Sequence, residues 1–400
     1  KMSLYTSSLL SKLIRQLNYT TFRQFCKDKP PLANTPLKEL LDNAASFEDA
    51  KPQVPEDEWA TLPYPEGANI KRDQGEQSLR PSIDPRETTI ICFPGQGNQY
   101  VGMGKILMKH PLANDMFRMA NEILGYDLKK ICLHGPKSEL NKTVHCQPAT
   151  FVTSLAAIER LKEERPQAID ACVAVAGYSL GEITALVFAG AIPFDKGLRL
   201  VQIRAEAMQM ASDMVSGGMM IVLYGPDSSL SKACIDAIEY CKTKNLEHID
   251  CRIASYMYPH CKVVAGNTEA LEFIEQHMKD YKIRRVKRVE VSGAFHTSLM
   301  LPAVESFKKA LKKIKLELPV VPVYSNVDGK FYRNTDHIYR QLPKQITSAV
   351  KWEQTLHILY ERKVGKYFPR TFECGPGKSL TTILKQVNAK AWDHALNIEA

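Results

Sequence analysis

The sequence lacks any apolar run of the roughly 18 to 20 residues that a membrane-spanning helix needs. The best candidate, residues 183–192, is much shorter and directly follows a turn motif, so we interpret it as a buried helix. The ten cysteines are scattered singly without a C-x-x-C pair, which excludes the usual zinc-ligand spacing. Several of them, such as Cys92 and Cys172, lie inside apolar runs, and this predicts reduced thiols in a reducing compartment.

A strong excess of one charge is also missing from most of the chain. The net charge is +9, but residues 1–27 hold five basic residues and no acidic one, so the remainder is only mildly basic. This balance gives little support to nucleic-acid binding.

The first 27 residues have a composition of their own. They are rich in Ser, Thr, Leu and basic residues, and their apolar residues lie at helical spacing: Leu9, Leu10, Leu13, Ile14 and Leu17. This pattern predicts a mitochondrial presequence, although a disordered basic tail would share it. Residues 28–87 carry many prolines and charges, which predicts a linker or surface arm.

From residue 88 onward, buried strands alternate with helices, as residues 89–93 and 171–176 illustrate. This alternation predicts an α/β fold, hydrolase-like, with a mainly parallel sheet and helices on both faces. Residues 216–291 instead show the order βαββαβ, which predicts an inserted ferredoxin-like small domain. The large catalytic domain would then comprise residues 88–215 and 292–400. The helices expected in its first half cover residues 101–109, 111–124, 147–163 and 194–212.

A candidate nucleophile lies in Gly177-Tyr178-Ser179-Leu180-Gly181, which fits G-x-S-x-G between a strand and a helix. A sharp strand-to-helix turn would present the Ser179 hydroxyl at the sheet edge. The amide N–H of Leu180, at the helix start, would then point at a developing oxyanion. A strand–helix turn with a merely capping serine is the alternative.

A serine nucleophile needs a base, and His296 is the best-placed histidine. It follows a predicted strand and lies among small residues, where an active-site loop is expected. The other histidines that we compared with it lie in helical or charged surroundings, although a loop histidine on its own is often without function.

Two glycine-rich loops complete the pattern. Residues 93–99 follow the first strand without a Lys-Ser/Thr pair, so we expect the Gln96 backbone to serve as a second oxyanion donor. Residues 375–379 imitate a phosphate-binding loop, but Phe372 stands where its first glycine should be, which argues against a nucleoside triphosphate.

Taken together, these segments resemble the malonyl-CoA:acyl carrier protein transacylase family, and its mitochondrial branch in particular. The resemblance extends from about residue 88 to the C-terminus and is carried by five pieces in the family's order: residues 95–99, residues 177–182, Arg204, residues 293–296 and residues 375–377.

The resemblance implies a role for each site residue. Ser179 attacks the thioester and His296 takes its proton, while the backbone N–H groups of Gln96 and Leu180 form the oxyanion hole. Arg204 holds the malonyl carboxylate, since a guanidinium matches a carboxylate in bidentate fashion; a helix-surface arginine is the alternative. Phe295 narrows the pocket beside the malonyl α-carbon. A main-chain carbonyl orients the histidine, and the matching position lies near Lys351.

The resemblance also implies the reaction and its partners. A malonyl group passes from malonyl-CoA to the phosphopantetheine thiol of acyl carrier protein by a ping-pong route, in the mitochondrial matrix, for fatty acid synthesis. No metal or redox cofactor is implied. We expect a monomer without nucleic-acid binding or stable membrane insertion. Because the carrier is acidic, two basic sets are candidate docking surfaces: Arg284, Arg285, Lys287 and Arg288, and Lys308, Lys309, Lys312, Lys313 and Lys315.

Three positions depart from the family's usual residues. Tyr178 replaces a histidine before the serine, Asn98 replaces a serine, and Met257 lies near where bacterial members often place an asparagine. None of these changes removes a catalytic group.

Two other classes of protein remain as alternatives. A serine hydrolase would share the elbow and the histidine, but it would normally add an acidic triad member and would have no use for Arg204. A catalytically idle scaffold or RNA-binding protein would have no use for an intact Ser179–His296 pair.

Overall fold

The computed structural model of the chain describes residues 84–360 and 367–400. The predicted presequence and nearly all of the predicted arm lie outside the described residues. The strands are β1 (Thr89–Phe93), β2 (Cys172–Gly177), β3 (Gly217–Tyr224), β4 (Cys251–Tyr258), β5 (Cys261–Asn267), β6 (Ile283–Arg288), β7 (Val323–Tyr324), β8 (Val350–Lys351), β9 (Arg370–Gly375) and β10 (Ala395–Glu399).

Fourteen α-helices connect these strands in the described part of the chain. They are α1 (Pro111–Leu124), α2 (Leu128–His134), α3 (Lys137–Leu140), α4 (Thr143–Glu164), α5 (Pro166–Asp170), α6 (Leu180–Phe188), α7 (Phe194–Met214), α8 (Leu230–Thr243), α9 (Thr268–Gln276), α10 (Leu301–Lys312), α11 (Thr335–Lys344), α12 (Trp352–Tyr360), α13 (Ser379–Val387) and α14 (Ala389–Trp392). Short 3₁₀ turns occupy Pro85–Glu87, Ile106–Lys109 and Ser298–Met300.

The first sheet is entirely parallel and has the strand order β10-β9-β1-β2-β7. Strand β1, at its centre, is buried along its whole length, as expected for a strand covered on both faces. Helix α4 is buried on most of its circumference and packs against α7, α1 and β9. This sheet confirms the predicted α/β fold.

The second sheet has the order β6-β3-β5-β4-β8. Strands β3 to β6 pair antiparallel in the order that the ferredoxin-like pattern requires, with α8 and α9 packed together beside them. The fifth strand, β8, pairs parallel with β4 and comes from outside residues 216–291. The small sheet therefore includes a strand from outside residues 216–291, and the βαββαβ pattern of those residues does not predict it.

The helix expected over residues 101–109 was wrong for most of its length. Gly102 and Gly104 have φ angles of 102° and 86°, which a helix does not accommodate, and only Ile106–Lys109 forms a 3₁₀ turn. Helices α2, α3, α5 and α11 to α14 were not predicted. The nine cysteines in the described residues are free and buried, in agreement with the predicted reduced thiols. Within those residues, no helix has both the length and the apolarity to span a bilayer.

Candidate active site

The turn between β2 and α6 holds Ser179 in a conformation that non-glycine residues rarely adopt, with φ 51° and ψ −107°. The side chain of Asn326 bridges the two sides of this turn. Its Oδ1 accepts a hydrogen bond from the Ser179 amide at 2.6 Å, and its Nδ2 donates to the Gly177 carbonyl at 2.8 Å. Asn326 thus stabilises the strained backbone conformation that exposes the serine hydroxyl.

The flanking glycines are required by close backbone approach. A Cβ atom at Gly177 would lie 1.9 Å from the Gly181 backbone, and one at Gly181 would lie 2.2 Å from the Phe93 carbonyl oxygen. Only glycine allows α6 to start this close to β2 and to the end of β1.

The structure brings His296 to the serine. Its Nε2 lies 2.9 Å from Ser179 Oγ, although the two residues are 117 positions apart in the chain. The imidazole is 3% exposed. Burial, and next the positive charge of Arg204, lower the pKa of His296 to about 4, while hydrogen bonds to the Gln345 and Ser348 backbone oppose this shift. The imidazole is therefore neutral at pH 7 and able to accept a proton.

The carbonyl that orients His296 belongs to Gln345, and the expectation of Lys351 was wrong. Nδ1 of His296 lies 2.7 Å from the Gln345 oxygen, just beyond the end of α11, where helix carbonyls lack intrahelical partners. The Lys351 carbonyl instead accepts from Thr355 Oγ1 at 2.9 Å, at the start of α12.

Arg204, on α7, is 1% exposed, so it is not the helix-surface arginine of the alternative. Its Nη2 donates to Ser179 Oγ at 3.1 Å and to Gln345 Oε1 at 3.0 Å, and its Nη1 donates to Gln147 Oε1 at 2.8 Å. Its Nε has no hydrogen-bond partner. Burial lowers the pKa of Arg204 to about 10, which keeps the guanidinium charged at neutral pH.

A cavity of about 180 Å³ opens in front of these groups. Ser179, Arg204 and His296 line it together with Gln96 and Phe295. Its other polar lining residues are Asn98, Gln147, Tyr178 and Ser379, and its other apolar ones are Met208, Met219, Ile221, Met257, Val263, Val289, Val291, Leu380 and Ile383. Leu180 N–H belongs to the first turn of α6, where amide groups have no intrahelical acceptor. The cavity thus combines a nucleophile, a base and a cation, and most of its other lining residues are apolar.

The sequence did not reveal the polar residues that lie behind the side chains lining the cavity. Glu182, in α6, is fully buried and accepts hydrogen bonds from Tyr332 Oη and Gln345 Nε2. Burial raises its pKa to about 7, against the lowering effect of those hydrogen bonds. Glu182 lies inside residues 177–182, which carry part of the resemblance, but nothing in the local sequence marks Gln345, Asn326 or Tyr332.

Metal ligation finds no support in the described residues, where no group of three or more His, Cys, Asp or Glu side chains is placed to hold an ion.

Comparison with known proteins agrees with the geometry. The acyl transferase domain family matches residues 90–364. The probable mitochondrial malonyl-CoA-acyl carrier protein transacylase of Drosophila melanogaster is 62% identical over 325 residues, covering 81% of this chain and 86% of the relative. The mitochondrial enzyme of Homo sapiens is 49% identical over 308 residues, covering 77% and 79%.

Solved structures show the same likeness. The malonyl-CoA:acyl carrier protein transacylase of Xanthomonas oryzae pv. oryzae superposes with a TM-score of 0.70 at 29% identity, covering 78% of this chain and 95% of that one. With the family match and the close mitochondrial relatives, this establishes that the chain belongs to the acyl transferase family, in the mitochondrial branch of the malonyl-CoA-acyl carrier protein transacylases.

Proposed function

We propose that this chain transfers a malonyl group from malonyl-CoA to the phosphopantetheine thiol of acyl carrier protein through a malonyl-serine at Ser179. The observation that carries the proposal is that one hydroxyl oxygen, Ser179 Oγ, lies 2.9 Å from His296 Nε2 and 3.1 Å from Arg204 Nη2. A base and a carboxylate-binding cation thus meet at the nucleophile.

In the first half-reaction, Ser179 Oγ attacks the thioester carbonyl while its proton passes to His296 Nε2. The negative charge that develops on the carbonyl oxygen is stabilised by the backbone N–H groups of Leu180 and Gln96. The C–S bond then breaks, and the coenzyme A thiolate leaves with the proton from His296. The hydrogen bond from Nδ1 to the Gln345 carbonyl keeps Nε2 directed at the serine throughout.

Arg204 supplies the preference for a malonyl group. Its guanidinium is buried, and it contacts glutamine and serine oxygens instead of a carboxylate. A malonyl carboxylate would give it a bidentate, charge-matched partner, whereas an acetyl group would not. Phe295, which lines the same cavity, narrows the space beside the malonyl α-carbon.

In the second half-reaction, the carrier's phosphopantetheine thiol enters the cavity. His296 takes the thiol proton, the sulfur attacks the malonyl-serine ester, and the proton returns to Ser179 Oγ as the ester bond breaks. We place the reaction in the mitochondrial matrix, where it supplies malonyl units to fatty acid synthesis; the close similarity to mitochondrial enzymes supports this location. No step calls for a metal or redox cofactor.

The contact of His296 also bears on the hydrolase alternative. An acid of a hydrolase triad would hold the histidine at Nδ1, but that atom contacts a main-chain carbonyl here. The buried Arg204 beside the nucleophile supports acyl transfer in the same way, since a simple esterase has no use for it.

Replacing Ser179 with alanine tests the nucleophile. We expect Ser179→Ala to abolish covalent labelling by malonyl-CoA, because no hydroxyl then remains at the elbow. Intact-protein mass spectrometry after brief exposure to malonyl-CoA measures this, with the wild-type chain as the control. A malonyl adduct retained on another residue would refute the assignment.

Replacing Arg204 with alanine tests the selectivity. The loss of a buried charged contact of about 2–5 kcal/mol should lower kcat/KM for malonyl transfer about 30-fold to several thousand-fold more than that for acetyl transfer. Parallel assays with malonyl-CoA and acetyl-CoA measure the ratio. Equal losses for both substrates would assign Arg204 a structural role.

The pH dependence follows from the low pKa of His296. The neutral imidazole is the active form, and its pKa is lowered from 6.5 to about 4, so acid inactivates the free enzyme only at low pH. We expect kcat/KM for malonyl-CoA to stay level from neutral pH down to about pH 5 and to fall with an inflection near 4. Rapid-quench assays after short pH jumps, with circular dichroism to verify folding, measure it. An inflection near 6.5 would contradict the prediction.

The carrier's docking surface is tested by charge reversal. Arg284, Arg285 and Lys287 are exposed on β6, and Val289, just beyond that strand, lines the cavity. We therefore expect Arg285→Glu to raise KM for the acidic carrier about threefold to tenfold and to weaken its salt dependence, without slowing the labelling of Ser179 by malonyl-CoA. Lys312→Glu, on the exposed basic face of α10, is the matched control. An effect of Lys312→Glu alone would move the docking surface to α10.

A further inference from the structure

Beneath the catalytic cavity lies a buried carboxylate that the proposed reaction does not use. Glu182 is three residues after Ser179 on α6 and has no exposed surface. An ionised carboxylate at such a depth is strongly disfavoured unless hydrogen bonds satisfy it. Its Oε1 accepts from Tyr332 Oη and its Oε2 from Gln345 Nε2, and the Asn326 backbone also donates to this carboxylate. Both oxygens are therefore committed to fixed donors.

The partner that matters is Gln345, because it contacts each of the other active-site groups. Its Oε1 accepts from Arg204 Nη2 at 3.0 Å, and its Nε2 donates to the Ser179 carbonyl at 2.9 Å. Its main-chain oxygen lies 2.7 Å from His296 Nδ1. A single residue thus touches the cation, the nucleophile and the base.

A glutamine amide is nearly symmetric in shape, so its surroundings decide which end carries the oxygen. The ionised carboxylate, which is the form that the hydrogen bonds from Tyr332, Gln345 and the Asn326 backbone favour against the effect of burial, only accepts hydrogen bonds. A guanidinium only donates them. With Glu182 on one side and Arg204 on the other, the NH₂ group must face Glu182 and the oxygen must face Arg204. In the reversed amide, oxygen would oppose oxygen at Glu182 and N–H would oppose N–H at Arg204.

We propose that Glu182 is a positioning residue for malonyl selectivity: it fixes the orientation of the Gln345 amide, which in turn holds the Arg204 guanidinium in place for the malonyl carboxylate. The inference rests on the proposed function and adds to it a residue that never touches the substrate. Since the main-chain oxygen of Gln345 does not depend on the amide, the contact that orients His296 remains when the amide turns.

The test is the substitution Glu182→Gln, which keeps the size of the side chain but removes the charge that enforces one amide orientation. We expect kcat/KM for malonyl-CoA to fall about tenfold, while that for acetyl-CoA changes less than about twofold. Glu373→Gln is the matched control: Glu373 is equally buried, on β9, and accepts from the Leu380 and Thr381 amides, away from Arg204. It should leave the malonyl-to-acetyl ratio unchanged.

A double-mutant cycle shows whether Glu182 acts through Gln345. Gln345→Leu removes the amide and keeps the main-chain carbonyl, so Glu182→Gln should add no further loss of selectivity in that background. If Glu182→Gln does not fold, Glu182→Asp replaces it, because the shorter side chain draws the carboxylate away from Gln345 and should lower the same ratio.

The outcomes separate the inference from the proposed function. Equal losses with both substrates, additive losses in the cycle, or a raised malonyl-to-acetyl ratio would overturn the positioning role. A raised ratio would show that Glu182 merely competes with malonate for the charge of Arg204. Loss of malonyl labelling in Ser179→Ala together with an unchanged ratio in Glu182→Gln would retain the acyl transfer and reject the inference.

Discussion

A buried guanidinium beside a serine hydroxyl is the constraint on which the rest of the site depends. Removing a charge from water costs several kcal/mol unless hydrogen bonds and counter-charges offset it. Arg204 donates its hydrogen bonds to two glutamine oxygens and to Ser179 Oγ, all of them neutral. The carboxylate of Glu182 is reached only through the Gln345 amide. The cation is thus held in place while its charge is left without a direct partner, which suits an incoming anionic group.

The charge of Arg204 also affects the pKa of the catalytic base, His296. A histidine next to an acid would have a raised pKa, whereas burial, and next the charge of Arg204, lower the pKa of His296, against the opposing effect of its main-chain hydrogen bonds. The imidazole therefore takes a proton only transiently, which favours its rapid return to the leaving thiol or to the serine. When a malonyl carboxylate neutralises Arg204, the part of the lowering that its charge causes is relieved, while the part that burial causes remains. Substrate binding thus strengthens the base at the moment when the base is needed.

The sequence predicted the parts whose signals are local. The elbow is specified by glycines 177 and 181, since a Cβ at either position would collide with backbone, and the parallel sheet is specified by continuous apolar strands. The orienting carbonyl could not be found this way. Any residue can supply a carbonyl, so Gln345 carries no signature, and the resemblance placed the matching position near Lys351 instead. The layer of Glu182, Asn326 and Tyr332 depends on contacts across about 150 residues, which no periodic pattern records.

Two of the residues that depart from the pattern of the family, Tyr178 and Met257, contact each other. Tyr178 packs edge-to-face on Trp352, with ring centroids 5.7 Å apart, and its hydroxyl donates to Met257 Sδ at 3.4 Å. The residue before the nucleophile is thereby joined to β4 of the small sheet, so the tyrosine and the methionine form one contact and are best understood as a pair.

Asn98 acts in a comparable way at the other glycine-rich loop. Its Nδ2 donates to the Gly95 carbonyl at 3.2 Å, and its side chain lies against Gly377, where even a Cβ would come within 3.1 Å of Oδ1. The loop that carries Gln96 is thus braced against residues 375–377 by a side chain longer than serine. Both side chains contact the surroundings of the cavity, while Ser179, His296 and Arg204 remain in contact with one another, so these residues support the catalytic groups without replacing any of them.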